Sequence, residues 1–224
     1  MGVNTASYFI NYLYAMPVAE KHTQPDFGVV VWEITETEDF FNERISYRSN
    51  ANNANKILQQ MASRYLLELI HPSFPFSQLH KMDNGKLVLQ DSSIDFSITH
   101  TAVFAAAIMS TELKVGIDIE KIDKRVLKVD RKFLNQFELD WLSRLDVDAR
   151  IKYTTLCWSI KETVFKWWGT GEIDFANHIE IQDPVMLNQG SLSVNFSKTS
   201  LIALPIQYKL IGDHWLTYIA EKHP

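Results

Sequence analysis

Apolar positions along this 224-residue chain change period several times. Two early runs, SYFINYLYAM (7–16) and FGVVVWEIT (27–35), are rich in β-branched and aromatic residues and predict strands. Thr35 and Glu38 have capping-box spacing and predict a helix start. From about Asn53 to Ile70 the period becomes helical. Leu58, Met61, Ala62, Tyr65, Leu66 and Leu69 recur on one side, and His71-Pro72 stops the run. The turn Asp83-Asn84-Gly85 leads into three short strands, KLVLQ (86–90), IDFSIT (94–99) and VFAAAIM (103–109), then a fourth, KVGIDIE (114–120). Helical patterns follow near 131–144 and from about Asp148 to Trp168, the second ended by Gly169 and Gly171. The remainder reads as a meander of HIEIQD, SLSVNF, IQYKLIG and HWLTYIAEK, with a hairpin turn at Gly212-Asp213. Each half thus holds one long helix and a set of short strands, without regular βαβ alternation. The expected class is α+β, as two similar subdomains in one chain, 1–110 and 111–224.

Composition narrows the function classes. The chain is 46% hydrophobic and 22% charged, which fits an ordinary folded protein. A net charge of -5 gives no bulk attraction to nucleic acid or anionic membranes, so neither is an expected partner. The longest apolar run, AVFAAAIM (102–109), is far short of the ~20 residues of a membrane helix. The opening MGVNTASYF lacks the basic-then-apolar pattern of a secretory leader, and Ala6 stands where myristoylation requires Ser or Thr. One cysteine, Cys157, excludes an intramolecular disulfide, and the expected compartment is the cytoplasm.

Two acidic stretches carry the candidate chemistry. In a strand through VGIDIE, Val115, Ile117 and Ile119 share one face while Gly116, Asp118 and Glu120 share the other. The glycine would leave room for a bulky ligand beside two carboxylates, a hard-oxygen pair suited to Mg²⁺; a half-exposed strand facing water has the same pattern. In the helix through WSIKETVFK, Trp158, Glu162 and Lys166 form a stripe, with Tyr153, Cys157, Ile160 and Val164 roughly opposite as the core face. The plain alternative is an exposed ion pair; the flanking aromatics favour a partly enclosed cleft. If strand and helix meet, three carboxylates and a lysine could hold a divalent ion and a phosphate oxygen together.

VGIDIE followed by WSIKETVFK, with Lys161 43 positions after Asp118, resembles the paired motif of the 4′-phosphopantetheinyl transferase superfamily. Thr163 stands where that family usually has Ala or Ser. FSITHT (96–101) is similar to the family's histidine segment, with Thr99 and Thr101 in place of serines. NGKLVL (84–89) and NKILQQMASRYLL (55–67) are similar to its Lys-containing turn and its basic helix. The paired acids and the chain length resemble the surfactin-synthetase-activating type, a pseudo-twofold dimer within one chain, rather than the short trimeric type.

The resemblance implies transfer of the 4′-phosphopantetheine arm of coenzyme A to a serine of an acyl or peptidyl carrier protein, by a monomer. The N-terminal half would contact the nucleotide, and the C-terminal half would hold Mg²⁺ and the catalytic groups. Asp118, Glu120 and Glu162 would be the metal ligands, and Asp118, Glu162 and Lys166 the catalytic residues, with Glu162 also a candidate base. Coenzyme A would be bound by Lys56, Arg64, Lys86, Thr99, His100, Lys161 and Lys166, with Lys161 either touching the pyrophosphate or serving a structural contact. An inactive relative that binds carrier protein or coenzyme A is the alternative. An unrelated phosphotransferase would want a Walker-type glycine loop, which this sequence lacks.

Overall fold

The computed structural model describes residues 18–83, 85–90, 94–182 and 187–222. The strand expected over 7–16 lies outside them. The elements are β1 (Val18–Thr23), β2 (Phe27–Glu33), α1 (Glu38–Asn42), α2 (Ala54–Ile70), β3 (Leu79–Lys81), β4 (Leu87–Leu89), β5 (Asp95–His100), β6 (Phe104–Ser110), β7 (Lys114–Lys121), α3 (Gln136–Leu142), α4 (Val147–Trp168), α5 (Phe175–His178), β8 (Ile179–Ile181), β9 (Gln189–Phe196), β10 (Ile202–Ile211) and β11 (His214–Glu221). This is the α+β class expected.

Two antiparallel sheets organise the molecule. The first has order β1-β2-β6-β5, the second β7-β11-β10-β9-β8, and β3 pairs with β4 separately. Helix α2 covers one face of the first sheet. It sets Met61, Tyr65 and Leu66 against Val30 and Trp32 of β2 and Ala105, Ala107 and Met109 of β6. Alternate residues of those strands point the other way: Val29, Val31, Phe104, Ala106 and Ile108 meet Val115, Ile117 and Ile119 of β7. This explains why β6 is buried at every position and shows no period-2 pattern in the sequence. Helix α4 covers the second sheet, packing Tyr153, Leu156, Cys157, Ile160, Val164 and Trp167 against strands including β9 and β10.

The chain ends of these helices follow from local chemistry. Asn53 caps α2 by accepting from Lys56 N–H at 3.2 Å. Asp146 caps α4 by accepting from Asp148 and Ala149 N–H. Gly169 ends α4 at φ 78°, a left-handed conformation that glycine adopts without strain. The helix expected over 131–144 is shorter, because Asn135 and Glu138 form a capping box that starts α3 at Gln136. The capping box expected at Thr35 and Glu38 does not form; α1 begins after Thr37, which makes no side-chain cap bond. Strand β1, with sequence VAEKHT, has no apolar signature because it is an edge strand that pairs only with β2 among the described strands.

The sheets meet along β5 and β7, the terminal strand of each. No ladder joins them. Instead Val115 N–H donates to Asp95 Oδ2 at 2.8 Å and Ile117 N–H donates to Ser97 Oγ at 3.3 Å. Asp95, Ser97 and Thr99 share a face of β5, and the third of them donates to Asp118. The side chains of one edge satisfy backbone groups of the other.

Candidate active site

The seam between β5 and β7 carries the candidate residues at its far end. Asp118 is 3% exposed and fully engaged. Its Oδ1 accepts from Lys166 Nζ at 2.6 Å and from Thr99 Oγ1 at 3.2 Å, and its Oδ2 accepts from Ser159 Oγ at 2.9 Å. Trp158 Nε1 donates to Glu120 Oε1 at 3.1 Å. Strand β7 and helix α4 therefore do bring Asp118, Glu120, Glu162 and Lys166 together. The glycine in this strand has a different use from the one expected. A Cβ on Gly116 would lie 2.3 Å from the Thr163 carbonyl oxygen and 2.8 Å from Trp167 N. Gly116 admits the α4 backbone, not a ligand.

The electrostatics mark these acids as short of positive charge. Burial, then the neighbouring Asp118 charge, pushes the Glu120 carboxyl up to about 7; Glu162 adds to this, while Trp158 and Lys166 oppose it. Burial raises Glu162 as well, with Lys166 opposing and Asp118 adding. Glu162 makes no side-chain hydrogen bond or ion pair to a described residue. An all-oxygen set whose ionisation is resisted in this way fits a hard divalent cation. As the site stands, no three such ligands are gathered into a cage among the described residues, and Asp118 is paired with Lys166.

Basic side chains approach from the N-terminal half. Desolvation of its ring, then the charges of Arg64 and Lys166, holds the His100 imidazole below its usual range. The Arg64 guanidinium is buried over the Tyr47 ring at 4.2 Å and donates to Gln60 O at 3.0 Å, while its Nε has no partner among the described residues. Lys86 Nζ donates to Lys166 O at 3.1 Å and lies 3.8 Å from Asp95, which fastens the turn before β4 to the end of α4. Between these elements lies a cavity of about 270 Å³, walled by Leu87, Phe96, Ile98 and Phe165 with Lys86 and Lys166 at its edge.

Two expected coenzyme A contacts stand apart. Lys161 is fully buried on the other side of α4. Its Nζ sits 2.7 Å from Glu138 Oε2, 2.9 Å from Phe175 O and 2.6 Å from Ile179 O, so of its two expected uses the structure displays the structural contact. Lys56 is exposed in the first turn of α2, about 12 Å along the axis from Arg64, and no described contact brings it to His100 or Lys166. Trp158, expected on the stripe with Glu162 and Lys166, holds Glu120, and two unexpected residues, Ser159 and Asp95, each hold a site element. Only the alternation of Asp95, Ser97 and Thr99 could have signalled one of them.

Residues 114–219 match the model of the 4′-phosphopantetheinyl transferase superfamily. These residues are just under half of the chain, and over them it is similar to that superfamily. A Haemophilus influenzae protein provisionally named a 4′-phosphopantetheinyl transferase is 30% identical over 107 residues, 45% of this chain and 44% of its own length. The 4′-phosphopantetheinyl transferase gsp of Aneurinibacillus migulanus is 26% identical over 132 residues, 59% of this chain and 52% of its own. The chain thus spans about half the length of the curated relatives it matches. Asp118, Glu120, Glu162 and Lys166 all fall in the segment matched to the superfamily, whereas Arg64, Lys86, Thr99 and His100 lie before it.

Proposed function

We propose that the chain is a 4′-phosphopantetheinyl transferase of the surfactin-synthetase-activating type. It would take coenzyme A and an apo acyl or peptidyl carrier protein and release the holo carrier and adenosine 3′,5′-bisphosphate. The observation that carries this reading is the meeting of Asp118, Glu120, Glu162 and Lys166 at the junction of β7 and α4. The carrier serine oxygen attacks the β-phosphorus of coenzyme A. The bond from that phosphorus to the bridging oxygen breaks, and the pair of electrons leaves with the α-phosphate of the nucleotide. Glu162, without a hydrogen-bond partner among the described residues and with its carboxyl raised by burial, accepts the serine proton, directly or through water. Lys166 is placed to leave Asp118 for the α-phosphate as charge develops there. Asp118, Glu120 and Glu162 would hold Mg²⁺, which when bound neutralises the pyrophosphate. Arg64, His100 and Lys86 would contact the nucleotide phosphates from the N-terminal half (1–110), while the C-terminal half (111–224) supplies the chemistry. The cytoplasm and a monomeric state complete the proposal; among the described residues no helix is long and apolar enough to cross a membrane.

Mass spectrometry of an apo carrier protein incubated with this chain, coenzyme A and Mg²⁺ tests it. The expected result is a gain equal to the phosphopantetheine arm, abolished by EDTA. Glu162→Gln should slow transfer by ~10²–10⁴-fold while leaving the fold intact. Wild-type turnover by Glu162→Gln would remove Glu162 from the base role. No gain on fatty-acid, polyketide and peptide carriers alike, with coenzyme A still bound, would favour a binding protein instead.

A further inference from the structure

Behind Asp118 lies a set of hydroxyls for which the proposed reaction has no stated use. Ser159, Thr163 and Thr217 are all 0% exposed. Ser159 and Thr163 are one turn apart on α4, and Thr217 of β11 lies directly across from Asp118 in the ladder with β7. Ser159 Oγ is 2.9 Å from Asp118 Oδ2, Thr217 Oγ1 is 2.9 Å from Ser159 Oγ, and Thr163 Oγ1 is 2.6 Å from Thr217 Oγ1. Two carbonyls are also in reach: Thr217 Oγ1 is 2.9 Å from Ser159 O, and Thr163 Oγ1 is 3.2 Å from Thr217 O.

The direction of this chain follows from chemistry. A carboxylate paired with a lysine ammonium only accepts, so Ser159 gives its one proton to Asp118. Ser159 Oγ then has only lone pairs to offer Thr217, whose Oγ1 carries a single proton and lies 2.9 Å from both Ser159 Oγ and Ser159 O, so Thr217 braces Ser159 through its hydroxyl or its carbonyl; Thr163 in turn reaches Thr217 Oγ1 and Thr217 O. When both threonine protons point along the hydroxyls, three dipoles run head to tail toward one carboxylate, and aligned hydrogen bonds strengthen one another in a dry interior. Packing alone does not call for hydroxyls here, because valine matches threonine in shape.

We propose that Thr217 and Thr163 are positioning residues that act through Ser159. They hold Asp118 Oδ2 toward the core, so that Oδ1 is the oxygen offered to the cleft. This rests on the role of Asp118 proposed above. It also gives a use to the threonine at position 163, where the resemblance led one to expect Ala or Ser.

The test uses the full chain and the series Thr217→Val, Thr217→Ser and Thr163→Val. Three quantities are read: Mn²⁺ binding by electron paramagnetic resonance with the metal alone, kcat against KM for coenzyme A, and thermal midpoint. Thr217→Val should weaken Mn²⁺ binding and lower kcat by about two- to fivefold, with KM unchanged. Thr217→Ser should restore both, and Thr163→Val should show the same pattern more weakly. Variants that shift only the thermal midpoint, or a wild-type chain that binds no Mn²⁺, would overturn the proposal. If the wild type modifies no carrier yet Mn²⁺ binding follows the hydroxyl series, the transferase reading falls and the positioning role stands. If Thr217→Val unfolds, Thr163→Val alone decides: unchanged Mn²⁺ binding and kcat in that folded variant refute the relay.

Discussion

Replacing Lys161 with methionine separates a structural lysine from a ligand-binding one. The ammonium is fully enclosed and serves three acceptors, Glu138 Oε2 and the carbonyls of Phe175 and Ile179. It ties α3 through Glu138, the start of β8 through Ile179, and α5 between them to the middle of α4. Methionine fills much the same volume but supplies no proton. Glu138, 2% exposed, would keep only the N–H groups of Asn135 and Ile181, each at 3.0 Å, and two carbonyls would lose a donor. Removing one partner of a buried ion pair costs about 3–5 kcal/mol. At about 2–4 °C per kcal/mol for a chain of this size, the thermal midpoint should fall by about 6–20 °C. Calorimetry and urea unfolding measure this. A double variant, Lys161→Met with Glu138→Leu, should recover much of the loss, because no uncompensated charge is then left inside. A Lys161→Met protein that keeps its midpoint but no longer binds coenzyme A would refute the reasoning and return Lys161 to the ligand.

Two further outcomes are expected. Glu120 has its carboxyl raised from 4.5 to about 7, so the folded state holds its proton more tightly than the unfolded chain does. This disfavours folding increasingly as pH rises from 4.5 to about 7 and fully above it, so metal-free wild type should lose stability across that window more steeply than Glu120→Gln, as thermal midpoints against pH will reveal. Added Mg²⁺ should offset the loss most above pH 7, and equal slopes for the two proteins would refute the assignment. Gly116→Ala should destabilise the chain by about 3 kcal/mol or more, since the new methyl meets helix backbone that cannot move aside; a near-neutral result in urea unfolding would mean α4 sits farther from β7 than described.

The long elements were legible because their signals were local. Asn53 and the apolar spacing placed α2 to within a residue, and the glycine at 169 marked the end of α4. The site's acids were legible because strand and helix periods alone put Asp118 with Glu120 and Glu162 with Lys166. What the sequence could not carry was contact across long separations. Nothing local says that Gly116 faces a helix backbone, that Lys161 turns inward to Glu138, or that Thr217 stands beside Asp118. Lys161 and Glu162 are adjacent in sequence yet reach different environments because successive residues on a helix are about 100° apart, so the letters alone left Lys161 two uses. Strand β1 was missed for the converse reason: an edge strand can be polar on both sides.

The seam between β5 and β7 sets a limit on how this chain can be divided. Val115, Ile117 and Ile119 are at most 1% exposed only because Val29, Val31, Phe104, Ala106 and Ile108 cover them. Cut after Ser110, each fragment would present a bare apolar face to water, and the C-terminal one would also open the β7 edge at the Val115 and Ile117 amides. Such pieces would cling to one another or to copies of themselves. Two such halves are not independent parts, and a free half would persist only by finding a partner surface of the same kind.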